Sequence, residues 1–222
     1  MSDARTEIMA RIREALKMPS PKPHLKGDSS KAGGKIWLPE VGDTKAETHA
    51  LLSDNLAKLK AQFYPVENLN QAMELVKDLA RKKNWKNIAY HRNELVTPVA
   101  QAIDGDSWAV DDSFTKDKLE AADVGLTSCV SIVAQFGAIL VSSETSGGRG
   151  LSILPPAHVV ISKADQVVPD LAACLDQVNV QFKGKMPSML SFITGPSRTG
   201  DIERILVLGA HGPKELHLIL IG

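Results

Sequence analysis

The sequence predicts an α/β fold, a mixed sheet with flanking helices, preceded by an N-terminal helix and a linker arm. Three observations predict it. Helical and extended apolar periodicities alternate between Thr44 and Val110, the pattern turns strand-rich after Val124, and a stretch rich in Pro, Gly and Lys sets residues 1–43 apart.

Taken in order, Ile8, Ile12 and Leu16 recur at helical spacing among charged residues, which describes a short amphipathic helix. Met18 to Asp43 then carries Pro19, Pro21, Pro23, Pro39, Gly27, Gly33 and Gly34 with many lysines, a composition that resists regular structure. Residues 1–43 are therefore expected as helix and arm, and 44–222 as one α/β domain. The arm allows the helix to pack on its own domain, on a second copy or on another subunit, and the residues do not choose. Leu52, Leu56, Leu59 and Phe63 share one helical face, Tyr64 to Val66 is extended, and Ala72, Leu75, Val76 and Leu79 mark a further helix. Asn87 to Tyr90 and Trp108 to Val110 read as short parallel strands joined by a helix around Leu95 to Ile103. Beyond Val124, apolar runs at Gly137 to Val141, Ser188 to Thr194, Ile205 to Leu208 and Leu216 to Ile221 read as strands, and Asp170 to Val178 as a helix.

A chain of 222 residues builds a core without disulfide or metal staples. Its 26 Lys and Arg balance 26 Asp and Glu, so no net charge draws it to nucleic acid or to an anionic membrane, although a local basic patch stays open. Cys129 and Cys174 stand alone in apolar surroundings, with no CxxC or Cys/His cluster to hold zinc or iron and sulfur, and read as reduced core thiols. The N-terminus has no apolar signal core and no segment reaches the roughly 20 apolar residues that span a bilayer, so a cytoplasmic protein is expected.

Polar residues gather at three turns. The loop SSETSGGRG, Ser142 to Gly150, follows an apolar strand, and its glycines let amides approach a ligand while Arg149, Thr145 and Ser146 offer a cradle for a small anion. It is neither a P-loop nor a dinucleotide fingerprint. Its other reading is a solvated hairpin loop. In GPSRTGDIE, Arg198 is a candidate anion ligand with Ser197, Thr199 and the amides of a helix start. The structural alternative has Thr199 capping that helix, Asp201 in its first turn, and Arg198 paired with Asp201 or Glu203. His211, between Gly209 and Pro213, is a candidate acid, base or hydrogen-bond donor, or else a histidine bonded to nearby carbonyls. His158 reads as structural, and His24, His49 and His91 show no context.

These turns also carry a resemblance. GPSRTGDIE and GAHGP, with ADVGLT at Ala122 to Thr127, GAILVSS at Gly137 to Ser143, RGLSILPPAHVVIS at Arg149 to Ser162 and MPSMLSFI at Met186 to Ile193, resemble the lactate utilization protein C family, whose shared module is the LUD domain. The C-terminal half matches closely and the N-terminal half only in layout; Gly200 departs from the family's more usual Ala or Ser. The resemblance implies a fold like that of coenzyme A transferases, ribose-5-phosphate isomerase and glucosamine-6-phosphate deaminase (the NagB/RpiA/CoA transferase-like fold). It also implies a component of a bacterial system that oxidises L-lactate to pyruvate with two partner proteins carrying iron-sulfur clusters. This chain then holds no cofactor and serves as a non-redox accessory or substrate-handling subunit, with Arg149 and Arg198 as carboxylate clamps and His211 and Asp201 as polar groups around the substrate. A homo-oligomer is open. The alternative is a stand-alone acyl or coenzyme A transferase, or a phosphosugar isomerase-like enzyme, using Glu144 as a nucleophile or Asp201 with the same anion cradle.

Overall fold

The computed structural model describes residues 2–17, 39–42, 44–111, 115–200, 206–209 and 211–222. The chain divides into two compact units, Met1–Trp37 and Leu38–Gly222. The first contributes α1 (Ser2–Lys17), whose exposed face carries Glu7–Arg11 and Glu14–Lys17 ion pairs at 2.7 and 2.8 Å. Ile8, Ile12 and Leu16 fall at four-residue spacing on this helix, the expected apolar stripe, and all three are exposed.

The second unit opens with α2 (Lys45–Lys58), started by a capping box in which Thr44 and Glu47 satisfy each other's backbone amides. The helix stops earlier than the apolar spacing suggests. Lys60 takes a left-handed conformation, its amide and that of Ala61 close back on Ala57 and Leu56, and Phe63 therefore lies on β1 (Gln62–Val66) rather than on the helix. There follow α3 (Leu69–Lys83), β2 (Asn87–Tyr90), α4 (Val96–Ala102), β3 (Asp106–Ala109), α5 (Lys116–Glu120) and β4 (Val124–Thr127). The strand-rich half contains β5 (Ser131–Val133), β6 (Ala138–Ser142), β7 (Ala157–Lys163), β8 (Val167–Val168), α6 (Leu171–Phe182), β9 (Leu190–Ile193), β10 (Arg198–Gly200), β11 (Leu206–Leu208) and β12 (Glu215–Ile221).

The fold is α/β, and its strands form separate sheets. Six parallel strands run in the order β1-β12-β7-β4-β2-β3, and four run β8-β5-β6-β9 with antiparallel and parallel pairs. Pro65 is tolerated because β1 is an edge strand. On one face of the parallel sheet α3 and α4 bury Val76, Leu79, Val96 and Val99 against Ile88, Val124, Val159 and Ile219. On the other, Val160, Leu216, Leu218 and Leu220 meet α2 and the inner face of the second sheet, through Leu52, Leu56, Ile132 and Ile139. That second sheet is covered in turn by Cys174, Val178 and Phe182 of α6.

Two expectations change. The stretch 188–194, whose apolar run reads as a buried strand, forms the shorter edge strand Leu190–Ile193 with Leu190 and Phe192 exposed, paired on one side to β6. After Pro196, Arg198–Gly200 pairs antiparallel with Leu206–Leu208, so Thr199 is a strand residue where a helix cap is one of the expected readings.

The chain leaves β2 for β3 on one side and returns to β4 on the other, so the order of the parallel sheet reverses between β2 and β4. The carboxyl ends of strands at such a reversal are where open α/β sheets hold ligands.

Candidate functional site

The two polar turns of the C-terminal region lie side by side. The Ser197 amide donates to the Pro213 carbonyl at 2.8 Å, and the Gly209 amide donates to the Ser197 carbonyl at 3.0 Å. Ser197 is thereby stitched between the residues that flank the His211 turn. Ser152, Ile153, Phe192, Ser197, Arg198 and His211 line one open groove of about 390 Å³. It lies near the amino ends of β7 and β12, since the Lys214 amide donates to the Pro156 carbonyl at 2.8 Å just before both strands begin. The groove joins a guanidinium, an exposed imidazole and the hydroxyls of Ser152, Thr194 and Ser197 to an apolar wall, a donor set suited to a small carboxylate with an apolar tail. Asp201, expected beside them, lies outside the described residues, and so does Glu203.

The loop 142–150 sits elsewhere. Its hydroxyls are spent on the protein: Ser142 Oγ lies 2.7 Å from Thr145 Oγ1, and Ser146, fully buried, donates to the Ser128 carbonyl at 3.1 Å. Ser128 returns a bond to the Thr145 carbonyl at 2.8 Å, so the loop is tied down over the carboxyl end of β4. Thr145 and Ser146 thus act here as ties, while Glu144 and Arg149 are exposed on the same loop. Neither Glu144 nor Arg149 lines the groove that holds Arg198. Gly147 has φ +68° and comes so close to the His91 and Val110 side chains that a Cβ there would stand 3.0 and 2.7 Å from them.

Beneath that loop is a pair that the motifs did not reveal. His91 Nδ1 stands 2.9 Å from Asp111 Oδ1, an ion-pair distance without hydrogen-bond alignment, and Asp111 Oδ2 accepts the Arg92 amide at 2.8 Å. His91 follows β2 and Asp111 lies just beyond β3, at the carboxyl ends beside the sheet's reversal point. The signal was available: a histidine after the apolar run NIAY and an aspartate after WAV are polar residues at strand ends.

The remaining titratable groups of note are internal. His158 is fully buried, its Nε2 lies 2.9 Å from Thr127 Oγ1, and burial, aided by nearby His217, pushes its pKa down to about 3. Cys129 and Cys174 are free, buried thiols whose pKa values burial raises. Among the described residues no group of three or more His, Cys, Asp or Glu is placed to hold a metal ion. No described helix is long and apolar enough to cross a membrane.

Comparison with known proteins gives the family and the fold. The chain resembles the lactate utilization protein C of Oceanobacillus iheyensis, at 27% identity over 65% of this chain and 64% of that protein. It resembles that of Bacillus subtilis at 35% identity over 47% of this chain and 45% of that protein, so the match spans between about half and two thirds of these relatives. An uncharacterized protein of Neisseria meningitidis serogroup B is 26% identical over 98% of this chain and 93% of its own length. Among solved structures, a DUF162 family protein from Deinococcus radiodurans superposes with a TM-score of 0.61 at 22% identity, covering 81% of this chain and 99% of that one, which establishes the shared fold. The model of the LUD domain matches residues 50–221, essentially the whole α/β unit, and the chain belongs to the LUD domain family.

Proposed function

We propose that this protein is a substrate-handling component of a bacterial lactate utilization system, binding lactate by its carboxylate while iron-sulfur partner proteins take up the electrons. The observation that carries the reading is the Ser197–Pro213 hydrogen bond, which brings Arg198 and His211 into one groove. The names of the relatives, lactate utilization protein C, point to the same substrate.

In this reading the Arg198 guanidinium grips the carboxylate in two-point fashion and the Ser197 hydroxyl supports it, with Thr199 next in the chain. The methyl group of lactate rests on Ile153 and Phe192, both partly exposed and apolar. His211 takes the hydroxyl proton as the carbon is oxidised. Conversion of the alcohol to the ketone of pyruvate releases two electrons and two protons, the one from the hydroxyl going to His211 and the one from the carbon to the solvent of the open groove; guanidinium, imidazole and hydroxyl groups do not store electrons, so iron-sulfur clusters on the partner proteins would supply the electron acceptor. Arg149, on a different loop, is a second cation for the approach of the anion or for a partner's acidic surface. Nothing in the geometry favours the transferase alternative, since Glu144 stands exposed outside the groove.

The test is lactate-dependent dye reduction by this protein alone and mixed with two iron-sulfur partners. Activity is expected only in the mixture. Arg198→Ala should lower kcat/KM by about tenfold to a hundredfold, the worth of one charge-assisted clamp, and Arg149→Ala by less. Activity that does not depend on adding this protein would overturn the reading.

A further inference from the structure

A second cleft lies at the amino ends of β1 and β12, near the turn that carries His211 but lined by different residues. It encloses about 400 Å³, and its polar lining includes Lys60, Gln62, Tyr64, Lys83, Lys214 and His217. Its floor is closely packed and nearly dry. His217 is 2% exposed, stacks on the Tyr64 ring at 6.0 Å and is met edge-on by Trp85 at 5.7 Å. Its Nε2 lies 3.1 Å from Glu215 Oε2, and Glu215 pairs with Lys83 at 2.8 Å.

The charges do not balance. Three lysines face the cleft against the one carboxylate of Glu215, and that carboxylate is taken by Lys83 and His217. Lys60 and Lys214 have no carboxylate partner among the described residues. The chain as a whole is neutral, so this surplus is a local arrangement and not a consequence of composition. Both lysines are also held at the root. Lys60 occupies the left-handed position that ends α2, a site more often filled by glycine. The Lys214 stem packs on Gly209, where any Cβ would collide with Lys214 Cγ, and its amide is fixed to the Pro156 carbonyl. Two ammonium groups with fixed roots over an aromatic and imidazole floor form a receptor for negative charge.

We propose that this cleft binds a compact dianion, a phosphate group or a small dicarboxylate, between the ammonium groups of Lys60 and Lys214, with Gln62 and Tyr64 as neutral hydrogen-bond donors. The site is distinct from the Arg198 groove and does not rest on the lactate reading. The two meet at one turn, because Pro213 lines the groove and Lys214 the cleft. A bound dianion also stands over His217, which is faced by Tyr64 on β1, Lys83 on α3, His158 on β7 and Glu215 on its own strand. The imidazole resonances of His217 therefore report occupancy.

The test uses the full chain, titrated with inorganic phosphate and, separately, with malonate, by calorimetry and by NMR of the histidine side chains. Saturable binding that shifts the His217 resonances is expected for at least one of them; phosphate alone points to a phosphoryl ligand, malonate alone to a dicarboxylate, and both to recognition of charge alone. Lys60→Ala and Lys214→Ala should each weaken binding about tenfold, the double variant should abolish it, and Lys118→Ala on α5 should leave it unchanged. The substituted side chains are exposed, so the variants should fold, and thermal unfolding checks this. Arg198→Ala should leave dianion binding intact, which separates failure here from failure of the lactate reading. No saturable binding of either anion, or binding unchanged in the double variant, overturns the proposal.

Discussion

Thr127 Oγ1 and His158 Nε2 lie 2.9 Å apart between neighbouring parallel strands, with both residues fully shielded from solvent. Burial, aided by nearby His217, keeps His158 neutral. Its folded-state pKa is lowered to about 3 from an ordinary 6.5, so below pH 6.5 the unfolded chain takes up a proton that the folded chain refuses. Stability therefore falls on acidification, by about 1.4 kcal/mol per pH unit from this group across the window from 6.5 down to about 3. His217, also lowered chiefly by burial, adds in the same direction. Urea unfolding between pH 7 and 5 should show this slope, and His158→Gln, which cannot titrate, should flatten it; an unchanged slope in the variant refutes the assignment.

Gly147 and Gly148 separate backbone strain from packing. Both have positive φ, +68° and +81°, but a Cβ at 148 meets nothing within 4 Å while one at 147 meets Val110, Leu151 and His91 at 3.0 Å or less. Gly148→Ala should cost about 1–2 kcal/mol, the left-handed penalty alone. Gly147→Ala should cost about 1–3 kcal/mol more from overpacking. Chemical denaturation of the two variants measures the difference, and equal costs would show that the loop does not press on His91.

Asn55 is a polar bolt between α2 and the helical turn Ala134–Phe136 that joins β5 to β6. Its Nδ2 donates to the Ala134 and Gln135 carbonyls, each at 2.9 Å, from a site 8% exposed. Asn55→Ala should lower stability by about 1–3 kcal/mol, since buried carbonyls lose their donor. A urea midpoint that falls with unchanged m-value is the expected signature; no shift would mean that the carbonyls find other donors.

The two thiols should be silent in the folded protein. Cys129 and Cys174 are buried, their pKa values are raised by burial, and Ser131 donates a hydrogen bond to Cys174 Sγ at 3.3 Å. Ellman's reagent should find no reactive thiol under native conditions and both after unfolding. Rapid native labelling would show local opening around α6.

Much of this molecule was legible in its residues, because the features concerned are local. The amphipathic spacing of Ile8, Ile12 and Leu16 and the helices around Val76 and Val99 follow from side-chain period alone, and so do the apolar strands at Ala138 and Leu216. The family could be read from contiguous strings such as GPSRTGDIE and GAHGP, which need no partner in space to be recognised. The end of α2 was less visible: Leu59 and Phe63 continue the helical spacing, and only the left-handed Lys60 breaks it. Three results belonged to the tertiary structure. Thr199 lies in a strand because Leu206–Leu208 is there to pair with it, and a long-range pairing overrides a plausible local cap. Thr145 and Ser146, polar enough to suggest a ligand, are used up by Ser142 and Ser128 through contacts that depend on how the loop crosses the sheet. His91 and Asp111 are 20 positions apart in sequence, and Lys60 and Lys214 are 154 apart. Side-chain type declares what each of these residues can do, but the order of the parallel strands decides which of them meet.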